Sequence, residues 1–223
     1  MTTDFEILRG LSEQERRDVL ASCTPRRFKR REIVCHEGDL GDTLHLIKSG
    51  RMIVRVATPF GNTATLTMLG PGYSFGELAL ADRNSRRTAT VEAIEDAETL
   101  SLSRAQLAAL RERYPQIDRV IIGTLSAQVR RLSAQVLEAL YLPVETRVVR
   151  RLVDLARIYG GPNPTAEIRL NQDDLASMAG TTRATANKVL RELQQREILT
   201  LTRGRITVVD RGALQRAAGQ LAI

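Results

Sequence analysis

Between Phe28 and Leu102 the sequence leaves little room for helix. Short alternating runs follow one another: Thr43-Leu-His-Leu-Ile, Met52-Ile-Val-Arg-Val, Thr65-Leu-Thr-Met-Leu, Thr88-Ala-Thr-Val-Glu-Ala-Ile and Glu98-Thr-Leu-Ser-Leu. Turn formers separate them: Glu37-Gly-Asp-Leu-Gly-Asp, Ser49-Gly, Phe60-Gly-Asn, Leu69-Gly-Pro-Gly and Asp82-Arg-Asn-Ser. A period of two, interrupted by turns about every ten residues, predicts an all-β barrel or jelly roll.

The flanking sequence changes period. Residues 1–20 read as a short amphipathic helix, with Phe5, Ile7, Leu8, Leu11, Val19 and Leu20 among charged neighbours. Ser103 is placed as the N-cap of a helix over Arg104–Glu112 that ends near Pro115. A longer helix is predicted from Gln116 to Leu140. Its apolar positions Ile117, Ile121, Leu125, Val129, Leu132, Val136 and Leu140 recur at intervals of three or four. Such a seam calls for a partner, either the chain's own barrel or a second copy in a parallel, coiled-coil-like dimer. Leu142-Pro143 breaks the helix and marks a boundary.

The last third is distinguished by charge. Residues 1–146 hold 20 basic and 19 acidic side chains, whereas residues 147–223 hold 13 and 7, a net +1 against +6. All but three of the basic residues (Lys29, Lys48 and Lys188) are arginine, the side chain suited to bidentate contacts with phosphate or guanine. Charge alone fits equally well with a solvated face. The pattern within it is more specific: helix (Arg147–Tyr159), loop, helix (about Gln172–Ala179), turn, helix (about Arg183–Arg196), then a hairpin turning at Arg203-Gly204. Asn171 can cap the first short helix, Ala176 permits a close crossing, Gly180 suits the turn, and Thr181 or Thr182 caps the next helix. With Val189, Leu190 and Leu193 facing the core, Thr182, Arg183, Thr185, Ala186, Asn187 and Lys188 remain near the helix start or on its open face. A winged helix-turn-helix presents these positions to the major groove. Arg183 is the candidate guanine reader, Thr182 and Lys188 suit phosphate or a base edge, and Arg203 and Arg205 form a basic wing.

Several function classes find little support. No window is apolar enough to span a membrane, and Met1-Thr-Thr-Asp-Phe-Glu lacks a signal-peptide pattern, so a cytoplasmic address is expected. Cys23 and Cys35 fall short of a four-thiolate metal site or cluster, and His36 and His45 are too few for a cupin. No metal is expected, and no nucleophile–base pair, metal triad or P-loop suggests an enzyme. The informative stretch of the barrel is Gly72-Tyr-Ser-Phe-Gly-Glu-Leu-Ala-Leu through Arg86-Arg-Thr-Ala. Arg87 could neutralise a phosphate, Glu77 could accept from sugar hydroxyls, and backbone N–H groups near Gly76 and Ala79 could complete an anion nest. A mutual Glu77–Arg87 ion pair accounts for the same residues equally well.

These motifs, in this order over nearly the whole chain, resemble the cyclic-AMP receptor protein / fumarate–nitrate regulator superfamily of bacterial transcription factors. The resemblance implies an α+β chain: an N-terminal cyclic-nucleotide-binding β-roll (jelly roll) over 1–115, a long dimerisation helix over 116–141, and a winged helix-turn-helix DNA-binding domain over 142–223. It implies a ligand cassette of Gly76, Glu77, Leu78, Ala79, Arg87 and Thr88, with Glu77 on the ribose 2′-hydroxyl and Arg87 and Thr88 on the cyclic phosphate. Where the family sets a Thr-Ser pair against adenine, this chain has Leu132 and Ser133. One base contact is thereby lost, while Thr88 is compatible with cyclic GMP, so the implied effector is cyclic AMP or cyclic GMP. The family's DNA contacts carry over to Thr182, Arg183 and Lys188; with Thr185 and Asn187 from the helix face and Arg203 and Arg205 from the wing, these are the expected DNA-binding residues. Ala184 replaces a family glutamate, which implies a different operator base pair. The implied partners are double-stranded DNA with a palindromic operator, a second copy of the chain, and RNA polymerase. Ligand binding would bias a hinge near Leu142–Val144. The alternative is a DNA-binding regulator controlled otherwise, its β-roll a dimerisation or protein-contact scaffold. Related sensors also bind haem, for which His36 and His45 are the available ligands, but the intact cassette argues against that reading.

Overall fold

The computed structural model describes residues 4–59, 61, 63–77, 85–161 and 163–220. The chain divides into two compact units, one of Met1–Thr63 with Met68–Arg131, the other of Ala64–Thr67 with Leu132–Ile223.

The first unit begins with a 3-10 turn (Glu6–Leu8) and helix α1 (Glu13–Ser22), where a single helix was expected. Eight strands follow among the described residues: β1 (Thr24–Phe28), β2 (Ile33–Cys35), β3 (Thr43–Ser49), β4 (Met52–Ala57), β5 (Thr63–Leu69, of which Ala64–Thr67 groups with the second unit), β6 (Ser74–Phe75), β7 (Thr90–Ala93) and β8 (Ala97–Ser103). They form two four-stranded sheets, ordered β1-β8-β3-β6 and β2-β7-β4-β5. Ile47, Phe75 and Ala97 of the first sheet pack with Met52, Val91 and Ala93 of the second. The other face of the first sheet, through Leu44, Leu46 and Leu102, packs on Phe5, Leu8 and Val19 and on α2 (Arg104–Arg113) and the start of α3 (Gln116–Tyr141). Strand β3 is thus buried on both faces, which carries His45 into the core despite its place in an alternating run. Strands β1, β2 and β6 were not anticipated. In β1 the residues Thr24 to Arg27 are all exposed on a sheet edge, so no apolar alternation marks them.

Ser103 caps α2 as expected, in a full capping box with Gln106. Cys23 and Cys35 are free and half-buried; burial raises the Cys23 thiol to about 11.

The second unit contains α4 (Val144–Gly160), β9 (Ala166–Ile168), α5 (Gln172–Met178), α6 (Arg183–Gln195), β10 (Leu199–Thr202), β11 (Arg205–Val208) and α7 (Arg211–Gln220). Val148, Leu152 and Leu155 line one face of α4 and are fully buried, as are Leu175, Leu190 and Leu199 from α5, α6 and β10. Strand β9 pairs with β11 and makes the hairpin a three-stranded wing. Neither β9 nor α7 was expected: three residues are too few to show a period, and α7 has an interrupted apolar stripe in which Leu214 and Ala217 are buried.

Candidate functional site

In the first unit the chemistry gathers around the end of β6. Gly76 has φ +94°, and a Cβ there would stand 2.6 Å from the Thr43 carbonyl and run into the Arg87 guanidinium. Glycine is therefore required where the arginine passes over the backbone. The Arg87 main chain is clamped by the preceding turn, its N–H donating to Asp39 O (2.8 Å) and its carbonyl accepting from Gly38 (2.8 Å). The residue is 8% exposed, and side-chain Nη2 donates to Thr43 O (2.8 Å). Nε and Nη1 are buried and have no hydrogen-bond partner among the described residues. A buried guanidinium with two unmatched donors is costly, and an anion seated against it removes that cost.

Glu77 is half-buried and is not a hydrogen-bond partner of Arg87. Burial raises its carboxyl, while its own backbone N–H and the charges of Arg131 and Arg87 pull it down. Arg131 on α3 is the residue that sequence reasoning missed here; its position immediately before Leu132 was the available signal. Thr88 is exposed. Leu78 and Ala79 lie outside the described residues. Leu132 and Ser133 are exposed on α3, in the part that clusters with the second unit. His45 is a core residue. Its ring stacks on Phe75 with centroids 4.8 Å apart, and Nδ1 lies 3.1 Å from Thr99 Oγ1. Burial, assisted by the charges of Arg87 and Arg26, holds the ring's pKa down at about 4.

In the second unit Asn171 caps α5 by accepting from Asp174 N (2.6 Å), and Thr182 caps α6 by accepting from Thr185 N (3.3 Å). Gly180, with φ +61°, makes the turn between them. Thr182, Arg183 and Lys188 are exposed, whereas Thr185 and Asn187 are partly covered. Ala186 is 0% exposed and belongs to the core, not to the open face. The error lies in the period: Ala186, Val189, Leu190 and Leu193 complete an i, i+3, i+4, i+7 stripe. Arg183 lies 3.5 Å from Asp173, both side chains exposed, a pairing that holds the guanidinium only weakly. In the wing, Arg203 is exposed at the turn, and Arg205 lies 3.3 Å from Glu167.

Residues 25–114 match the family described as the cyclic nucleotide-binding domain, and residues 146–217 match the Crp-like helix-turn-helix domain. The cyclic AMP receptor protein of Thermus thermophilus is 31% identical over 216 residues, 97% of this chain and 98% of that one. The chain belongs to the cyclic AMP receptor protein family. A CRP-like cAMP-activated global transcriptional regulator of Mycobacterium tuberculosis is 29% identical over 194 residues, 86% of each chain. Among solved structures, the c-di-GMP responsive global regulator CLP of Xanthomonas campestris aligns with a TM-score of 0.72 at 23% identity, covering 88% of this chain and 99% of that one. That likeness bears on the fold. A cyclic-nucleotide-binding domain and a Crp-like helix-turn-helix in one chain make this a transcription regulator of the family. No helix among the described residues is long and apolar enough to cross a membrane.

Proposed function

We propose that the chain is a homodimeric, sequence-specific DNA-binding transcription regulator controlled by a cyclic mononucleotide, cyclic AMP or cyclic GMP, bound in the β-roll. It acts in the cytoplasm by binding rather than catalysis, with residues 1–115 as sensor, 116–141 as dimer helix and 142–223 as DNA reader. The carrying observation is Arg87: a buried guanidinium with Nε and Nη1 unmatched, over a glycine that a side chain would displace. A cyclic phosphate supplies the missing acceptors, and Glu77 takes the ribose 2′-hydroxyl. Gly76, Leu78, Ala79 and Thr88 complete the cassette, with Leu132 and Ser133 toward the base. Thr182, Arg183, Thr185, Asn187 and Lys188 read a palindromic operator, Arg203 and Arg205 contact its flank, and RNA polymerase is the downstream partner.

Calorimetric titration of the full chain with cyclic AMP, cyclic GMP and cyclic di-GMP tests the ligand. Binding of a mononucleotide, lost in Arg87→Gln, is expected, together with tighter binding of a duplex selected by the chain from random DNA. No heat from either mononucleotide would overturn nucleotide control and leave the β-roll as a scaffold.

A further inference from the structure

The connection between α3 and α4 contains a cross-brace made by three arginines. Proline at 143 has no N–H, so the carbonyl of Ala139, four residues earlier in the last turn of α3, lacks its helical donor. Arg147, in the first turn of α4, supplies one: Nη1 donates to Ala139 O at 2.9 Å. The same guanidinium donates through Nε to Ala179 O (3.1 Å) and through Nη2 to Gly180 O (3.2 Å). Ala179 caps the C-terminus of α5, and Gly180 forms the turn before the recognition helix. One planar fork thus satisfies carbonyls at the ends of two helices, a placement also favoured by their dipoles. One helical turn further along α4, Arg150 and Arg151 grip the Glu138 carboxylate at 2.8 and 2.5 Å, and Arg151 also holds Asp154 at 3.2 Å. All these residues belong to the second compact unit.

We propose that Arg147 is a positioning residue that ties the end of α3 directly to the helix-turn-helix turn. The helix α6 then follows the last turns of α3 as one body instead of pivoting freely at Leu142–Val144. The Glu138–Arg150–Arg151 cluster holds α3 against α4 while Arg147 hands the restraint on to Ala179 and Gly180. The use of this brace in signalling rests on the nucleotide-controlled reading above, but the brace itself does not.

Hydrogen exchange on the full-length, ligand-free chain tests it. Loss of charge-assisted hydrogen bonds in Arg147→Gln is expected to speed exchange roughly tenfold or more at the amides of residues 139–142 and 180–181 together. Amides in the middle of α4, at Leu152–Leu155, are expected to stay unchanged. A packing defect would instead spread through α4. Acceleration in only one of the two segments, or in neither, overturns the proposal. Should Arg147→Gln unfold the unit, Arg147→Lys is read in the same two segments, because a lysine cannot reach three carbonyls in fork geometry. With whichever nucleotide tightens DNA binding in wild type, Arg147→Lys is expected to shrink that gain roughly tenfold while leaving nucleotide affinity unchanged. An undiminished gain overturns the coupling role. Absence of any gain in wild type counts against nucleotide control, and the exchange result still decides the brace.

Discussion

At the scale of single residues, burial sets His45 and Arg87 on different courses. The His45 ring titrates at about 4 in the folded chain, against about 6.5 when unfolded. Above pH 6.5 both states are neutral and the ring adds no pH dependence. As the pH falls toward 4 the unfolded state takes up the proton first, so stability is lost across that window and levels off below it. Denaturant unfolding at pH 7 and pH 5 should show wild type losing about 2 kcal/mol more than His45→Phe. A variant that loses as much as wild type would assign the dependence to other groups. Arg87 cannot escape its burial by deprotonating. Replacing it with methionine removes two unmatched donors, so the ligand-free protein should be as stable as wild type or gain about 1 kcal/mol. Nucleotide binding should be lost in the same variant. Unfolding and calorimetry on one sample separate the two effects.

At the scale of elements, α3 states most plainly what it requires. Ile117, at its start, is buried, but Ile122, Val129, Leu132, Val136 and Leu140 are 49 to 69% exposed. Ile122, Leu137 and Tyr141 lie outside the expected seam and widen the exposed apolar stripe. A stripe of this extent fits a second copy of the helix. Leu140→Asp should therefore halve the mass measured by sedimentation equilibrium and leave the melting of the first unit unchanged; an unaltered mass would remove this stripe from the dimer contact. The helix could be read from its sequence because its period repeats for 26 residues, and α2 because its cap is local. Strand β1 could not, since its partner β8 is some 70 residues away and supplies the only sign of its conformation.

At the scale of the molecule, the charge is divided by task. The near-neutral N-terminal stretch of net +1 precedes a C-terminal one of net +6, and DNA binding should therefore release many counterions. For a dimer with six or more phosphate contacts, log Kd should rise against log salt with a slope of about 5 or more. Arg203→Ala should lower that slope by about one per contact removed, at every DNA sequence alike, whereas Arg183→Ala should blur sequence preference. A slope unchanged in the Arg203 variant would take the wing off the phosphate backbone.

The sequence by itself determined the succession of periods, the capping of α2, α5 and α6, the break at Pro143 and the basic reader, because each depends on residues within a turn or two of one another. It also pointed to Gly76, Glu77 and Arg87 as one group, but an ion pair and an anion site remained equal readings of them. In the folded chain Arg87 does not hydrogen-bond to Glu77: it turns to the Thr43 carbonyl and keeps two donors unmatched. Tertiary structure likewise drew His45 and Ala186 into cores and joined Ala139, Arg147 and Gly180 across the proline break. Those outcomes depend on which distant backbone atoms arrive beside a side chain, and that is decided only when the sheets and helices pack.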